Sequence, residues 1–325
     1  MPSAIESLLA GNFTVLNLGS GEDRDLPTNL ARCMTVIEVD ALSDSKMTPH
    51  KCYRRISLRT AVAGATGKRL FHERKYSQCS SLLEPRPELV RDYALADYFE
   101  LRGSAEVECQ TIGQILRGLQ IERLDFIKTD LEGLDFEILS SCSEIVAQTL
   151  VLQCELRFQP FYLGEPHFHT VAAYLSRLGF ELITLTPEVW KLSTPHLRMV
   201  RDGRLVWADT VWFLSPERVR ELFRERAALA FVKQAILARM LSLVNYSEFL
   251  YEQVKGQLSD TVRKELGQFV KPKFGTQISL NRIANTVALL PGGYLLLGAI
   301  RRAARLLASA ATVYELKHVG SLWAR

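Results

Sequence analysis

Lys128, Asp130 and Glu132 stand at every second position at the end of an apolar run, Leu124-Asp-Phe-Ile-Lys-Thr-Asp130, and its continuation Leu131-Glu-Gly133. In an extended strand alternate side chains share a face, so Lys128 and Asp130 point together and Glu132 follows in the loop just beyond. A carboxylate at such a place can take a proton from a bound hydroxyl or hold the molecule that carries it. It can equally pair with Lys128 or cap the following helix. Glu155, which ends the next apolar run, is a further candidate acid. His167 and His169, after Pro166, could accept a proton at neutral pH, although histidines are common at exposed helix starts. Asp130 and Glu132 could hold a divalent cation only with a third ligand, and the sequence offers no obvious one, so no metal is expected.

A second set of residues suits a nucleoside. Leu18-Gly-Ser-Gly21 follows the apolar run Phe13-Thr-Val-Leu-Asn-Leu18, and the next run, Thr35-Val-Ile-Glu-Val-Asp40, ends on an acid. Glycines let a backbone approach a ligand closely, and a carboxylate after the second strand can accept both ribose hydroxyl hydrogens. Arg24 occupies the third glycine position of a dinucleotide loop, so a pyrophosphate-bearing ligand fits less well than a nucleoside. Gly19, Ser20, Gly21, Asp40 and Ala41 are therefore the expected cofactor-binding residues.

Alternating strands and helices must carry these groups. Apolar runs alternate with amphipathic stretches over about 13–214, the pattern of an α/β sheet. Strands are expected at 13–18, 35–40, 55–63, 124–130, 149–155, 180–186 and 209–214. A short strand over 68–73 should point away from the sheet, and 106–112 should form an edge strand. Helices are expected over 134–147 and 167–178, with Gly179 as a C-cap. The segment 77–103, interrupted by Pro85 and Pro87, reads as loop and short helix. Ser215-Pro216-Glu217 is a helix start. Beyond it Leu222, Leu229, Val232, Ile236, Met240 and Leu243 suit one face of one long helix, packed on the preceding domain or on a partner subunit. The expected division is a domain over 1–215 and a helical, basic extension over 216–325.

Thr111-Ile-Gly113, Leu124-Asp-Phe-Ile-Lys-Thr-Asp-Leu-Glu-Gly133 and Asp135-Phe-Glu-Ile-Leu139 together resemble the signature of the FkbM family of S-adenosylmethionine (SAM)-dependent methyltransferases. Asn17-Leu-Gly-Ser-Gly21 is similar to the family's first motif. Ala61-Val-Ala63 with Gly67 and Ser80-Ser-Leu-Leu83 is similar to its region after the third strand, and Glu155, Pro160, Tyr162, Gly164 and the stretch 175–180 also look familial. The resemblance covers roughly 12–214. The family usually has Thr-Leu-Asp where this chain has Thr111-Ile-Gly113, and often Glu-Pro where it has Asp40-Ala41; the second change keeps the acid. The resemblance implies a class I methyltransferase fold, Rossmann-like, with a mixed seven-stranded sheet. It implies SAM as cofactor and transfer of a methyl group, often to a hydroxyl of a sugar, glycan or related metabolite. Asp130, Glu132, Lys128 and Glu155 are then the expected catalytic residues. The alternatives are a methyltransferase-like assembly module that has lost activity and a nicotinamide-dependent oxidoreductase, which would need a better dinucleotide loop.

The chain has 325 residues, 47% hydrophobic and 23% charged, which excludes a disordered or fibrous protein. A net charge of +4 does not call for a nucleic-acid partner. The charge is local: 271–325 holds eight basic residues against one acid, Glu315, for a net +7, leaving −3 on the rest. Val287 to Ile300 is uncharged but too short to span a bilayer and is broken by Pro291. From Tyr294 on, Arg301, Arg302 and Arg305 among leucines and alanines suit either a core or dimer helix with a solvated arginine face, in a homo-oligomer, or a helix resting peripherally on an anionic membrane. The six scattered cysteines read as reduced thiols and the start of the chain lacks a secretory pattern, so a cytoplasmic location is expected.

Overall fold

The computed structural model describes residues 3–19, 33–41, 54–190, 192 and 203–271. Helix α1 (Ala4–Leu9) precedes strands β1 (Phe13–Leu18), β2 (Met34–Asp40), β3 (Arg54–Arg59), β4 (Ala61–Val62) and β5 (Gly67–Arg74). Then come α2 (Pro87–Asp92), β6 (Leu101–Gln110), α3 (Ile112–Leu119), β7 (Phe126–Thr129), α4 (Asp135–Ser141), α5 (Ser143–Val146) and β8 (Val151–Arg157). The chain continues through α6 (Phe168–Arg177), β9 (Phe180–Trp190), β10 (Arg204–Leu214), α7 (Pro216–Phe223), α8 (Ala227–Met240), α9 (Val244–Val254) and α10 (Asp260–Val270).

Seven strands form one sheet in the order β3-β2-β1-β7-β8-β10-β9. The first five run parallel, and β10 is antiparallel to both neighbours. This is the mixed Rossmann-like sheet of class I methyltransferases, as the resemblance implies. The central strands are nearly continuous apolar runs because both their faces are covered, and Val15, Leu16, Ile37, Ile127 and Leu152 are buried together with Ile138 and Leu139 of α4.

A second sheet, β4-β6-β5, is inserted between β3 and β7. Its arrangement corrects two expectations. The stretch expected as one strand over 55–63 divides into β3 and β4, which belong to different sheets, and β6 is the central strand of the small sheet, not an edge strand. The expected helix 134–147 is likewise two helices, broken at Cys142.

Ser215 caps α7 as expected, its hydroxyl accepting from the Arg218 amide at 3.2 Å. The single long helix beyond it does not form. Left-handed residues at Arg224 (φ 45) and Ser242 (φ 62) mark the breaks that divide the segment into α7, α8 and α9. Nine successive residues of α8, 230–238, are buried, so this helix is an interior element with no solvated face there. Its Lys233 pairs with Asp125 at 2.8 Å just before β7, and its Gln234 donates to the carbonyls of Leu150 and Leu214 at 3.2 and 2.8 Å. Phe231 and Ile236 join the core of the sheet. Residue 215 therefore does not divide compact units; the division falls between Val270 and Lys271. The basic tail, with its membrane and dimer readings, lies outside the described residues apart from Lys271. Among the described residues no helix is long and apolar enough to cross a membrane, and Cys33, Cys79, Cys109, Cys142 and Cys154 are free thiols.

Candidate active site

Parallel strands deliver their carboxyl ends to one edge of the sheet, where ligands bind in open α/β folds. Leu18 pairs with Val39 on one side and Thr129 on the other, and Thr129 pairs with Cys154. One residue further, Gly19, Asp40, Asp130 and Glu155 come level, and Glu155 faces Asp209 of β10. Asp40 stands beside Arg59 in the same row. The two expected groups, nucleoside loop and acids, thus meet at one edge. Gly19 is described with φ +74, whereas Ser20 and Gly21 lie outside the described residues. Ala41 follows Asp40 and is half-buried against the core.

Gly19 lies so close to the loop after β7 that a β-carbon there would come within 2.0 Å of the Asp130 carbonyl oxygen. On the other side of that loop the backbone is left-handed at Glu132 (φ 50) and Gly133 (φ 94). Glutamate rarely adopts this conformation, and such strain gathers at functional sites. Here it turns the Glu132 side chain back toward β8. The Ser81 hydroxyl holds the Glu132 carbonyl at 2.8 Å.

Asp130, Glu132 and Glu155 each present a carboxylate oxygen within 4.8 Å of the other two. Glu155, expected as a further candidate acid, thus joins Asp130 and Glu132. The charge facing this group comes from Arg157, at the end of β8 and two residues from Glu155. Its guanidinium donates to Glu132 at 2.8 Å, touches Glu155 at 2.6 Å and Glu165 at 3.3 Å, and lies 5.1 Å from the centre of the Trp207 ring. Lys128 reaches Asp130 at 3.5 Å. The Tyr162 hydroxyl lies 2.9 Å from Glu132 and 3.1 Å from the Cys79 carbonyl.

Burial dominates the electrostatics. It raises the Glu132 carboxyl to about 7 against the opposing pull of Arg157. Burial also lifts Glu155 well above the usual carboxylate range, raises Glu165, and brings Asp135, the first residue of α4, to about 6. Burial opposes the charge of Arg157, but Glu155, Glu132 and Glu165 outweigh it and drive that pKa up. One guanidinium cannot keep three buried carboxylates ionised, so part of this cluster carries protons at neutral pH.

Arg157, Glu165 and Tyr162 were not among the expected catalytic residues. Tyr162 is held in an aromatic cluster with Tyr93, Phe99 and Phe161, built by the segment 77–103 and the loop after β8. Arg157 could have been found by extending the alternation two residues past Glu155, since pairing with Trp207 of β10 prolongs β8 to that point. His167 and His169 stack on each other at 5.5 Å, with His167 against the Phe158 carbonyl, and neither belongs to the carboxylate group.

No curated protein matches the chain. A solved structure from Pyrococcus horikoshii, named as a candidate RNA methyltransferase, is similar at 10% identity and a TM-score of 0.24, over 64% of this chain and 78% of that one. Another from Streptococcus pneumoniae, named as a candidate tRNA (m1A22) methyltransferase, is similar at 12% identity and a TM-score of 0.26, over 83% and 96%. Likenesses this weak carry no argument about this chain. Residues 22–182, which hold the second strand, the inserted sheet and every acid of the cluster, match the methyltransferase FkbM domain, and the chain carries a methyltransferase domain of that family.

Proposed function

We propose that the protein transfers the methyl group of SAM to a hydroxyl of a sugar, a glycan or a related small metabolite. The observation that carries this reading is the meeting of Asp130, Glu132 and Glu155, all within the FkbM-domain match, within 4.8 Å of one another at the carboxyl edge of the sheet, where Gly19 packs against the Asp130 backbone. The residues fit the cofactor. Gly19 lets the end of β1 pack against the loop that carries Asp130 and Glu132, Asp40 ends β2 where a ribose carboxylate would stand, and the acids favour a sulfonium. When bound, SAM supplies an electrophilic methyl group. The protein then has to align the acceptor and take its proton, and buried carboxyls raised toward neutrality suit that work.

Calorimetric titration with SAM, and with NAD in parallel, tests the cofactor assignment. Micromolar SAM binding that weakens at least tenfold in Asp40→Ala, with none for NAD, is the expected result. Failure of the folded protein to bind SAM would remove the proposal.

A further inference from the structure

The three clustered acids are not equivalent in their bonding, and the difference separates their roles. We propose that Glu132 is the catalytic base, taking the acceptor proton on its Oε1, and that Tyr162 and Arg157 are the positioning residues that hold its other oxygen. This assignment rests on the methyl-transfer reading and deepens it.

Both donors converge on one atom. Tyr162 and Arg157 reach Oε2 of Glu132, at 2.9 and 2.8 Å, while Oε1 makes no hydrogen bond to the described residues. A carboxylate pinned by one oxygen presents the other in a fixed direction. The left-handed backbone at Glu132 and the Ser81 contact to its carbonyl fix the stem. Among the described residues Asp130 has no comparable anchor, for Lys128 reaches it only at 3.5 Å and its carbonyl abuts Gly19. Glu155 touches Arg157 and has no second donor among the described residues.

The titratable surroundings agree with the geometry. Glu132 faces Arg157 and Glu155 from β8, Tyr162 and Glu165 from the loop beyond, Cys79 from the inserted segment, and Asp130 from the end of β7. Burial raises Glu155 well above the usual carboxylate range, while Glu132 at about 7 can both take and release a proton near neutral pH. In the transfer the acceptor O–H bond breaks and its proton passes to Oε1 of Glu132. The oxygen bonds to the methyl carbon, and the carbon–sulfur bond breaks with its electron pair going to sulfur. A methyl ether, a neutral thioether and a protonated Glu132 result, and the carboxyl returns its proton to water.

The test follows radiolabelled methyl transfer from SAM to a panel of methyl glycosides of hexoses and 6-deoxyhexoses, with SAM affinity measured by calorimetry on the same proteins. Glu132→Gln should lower kcat by roughly 10²- to 10⁴-fold while SAM affinity stays within about threefold, the bond lost being one to the acceptor. Tyr162→Phe keeps the ring and removes a donor to the carboxylate. Its kcat should fall about tenfold near pH 6 and recover by about pH 9, because the acidic limb moves up by about one unit. Wild-type kcat in Glu132→Gln, or a loss in Tyr162→Phe that is equal at every pH, would overturn the assignment and leave methyl transfer standing. SAM binding with no methylation of any glycoside by the wild-type protein would overturn the sugar-hydroxyl reading and the assignment with it.

Discussion

Gly19 and Asp130 touch backbone to backbone across the ends of β1 and β7, leaving no room for a single added carbon. A β-carbon on Gly19 would lie 2.0 Å from the Asp130 carbonyl oxygen and 2.9 Å from its carbonyl carbon, and the neighbouring atoms are main chain that cannot swing aside. The glycine also sits at φ +74, where a side chain costs about 1–2 kcal/mol. The contact locks the proposed nucleoside loop to the loop that carries Asp130 and Glu132.

Gly19→Ala should therefore damage stability and SAM binding together. Urea unfolding should show a loss of at least about 2 kcal/mol, from the left-handed conformation and the overlap combined. Calorimetry should show SAM affinity reduced more than tenfold in whatever fraction remains folded. A variant with wild-type midpoint and affinity would mean that the two loops move independently.

The acid cluster makes stability depend on pH in an unusual direction. Glu132 and Asp135 titrate at about 7 and about 6 in the folded protein, and Glu155 and Glu165 are raised as well, with burial the first cause in each. In the unfolded chain carboxyls titrate near 4. Between about pH 4 and pH 7 the native state thus binds more protons, and unfolding free energy falls as pH rises, by about 1.4 kcal/mol per pH unit for each excess proton. Thermal unfolding between pH 5 and pH 8 should give a higher Tm at the acidic end. Glu132→Gln and Asp135→Asn should each flatten the slope, and an unchanged slope in both would place the excess protons elsewhere.

The main sheet was legible because its central strands are short apolar runs bounded by Gly19, Asp40 and Gly133, and burial on both faces leaves that mark in a sequence. The inserted sheet was misread because β4 and β6 pair with each other across 48 residues, a partnership no local pattern records. Lys128, Asp130 and Glu132 were legible through alternation. Their bonding partners were not, since Arg157 and Tyr162 reach Glu132 from 25 and 30 residues away. The segment after Ser215 misled for a different reason. Apolar residues at helical spacing do not reveal where a helix turns, and the left-handed breaks fall on Arg224 and Ser242, neither of which is a glycine.

Gly113 departs from the acid that the FkbM signature carries, and the structure shows where that acid would sit. Thr111 is the N-cap of α3, paired reciprocally with Gln114, so Gly113 lies in the first turn, where a negative charge meets the positive end of the helix. A β-carbon there would meet nothing closer than 3.4 Å, the Arg117 guanidinium. Gly113→Asp should stabilise the protein by about 1 kcal/mol, from backbone entropy together with the helix end. Chemical denaturation checks it, and a destabilised variant would show that the glycine is required.

Truncation separates a sheet domain that ends near 215 from one that needs the following helices. Removing 216–325 strips α8 from the core, leaves the carbonyls of Leu150 and Leu214 without Gln234, and leaves Asp125 buried without Lys233. An unpaired buried charge alone costs about 3–5 kcal/mol, a large part of a domain's total stability. Helix α10 matters as well, since the Glu265 carboxylate accepts from the amides of Ala4 and Ile5 at 3.1 and 3.0 Å and so anchors α1. A chain ending at 215 should be unfolded or insoluble, whereas one ending at Val270 should unfold cooperatively and bind SAM as the full chain does. Circular dichroism melts and SAM titration of the two truncations check this, and a stable, SAM-binding chain ending at 215 would mean that the C-terminal helices cover the sheet without supporting it.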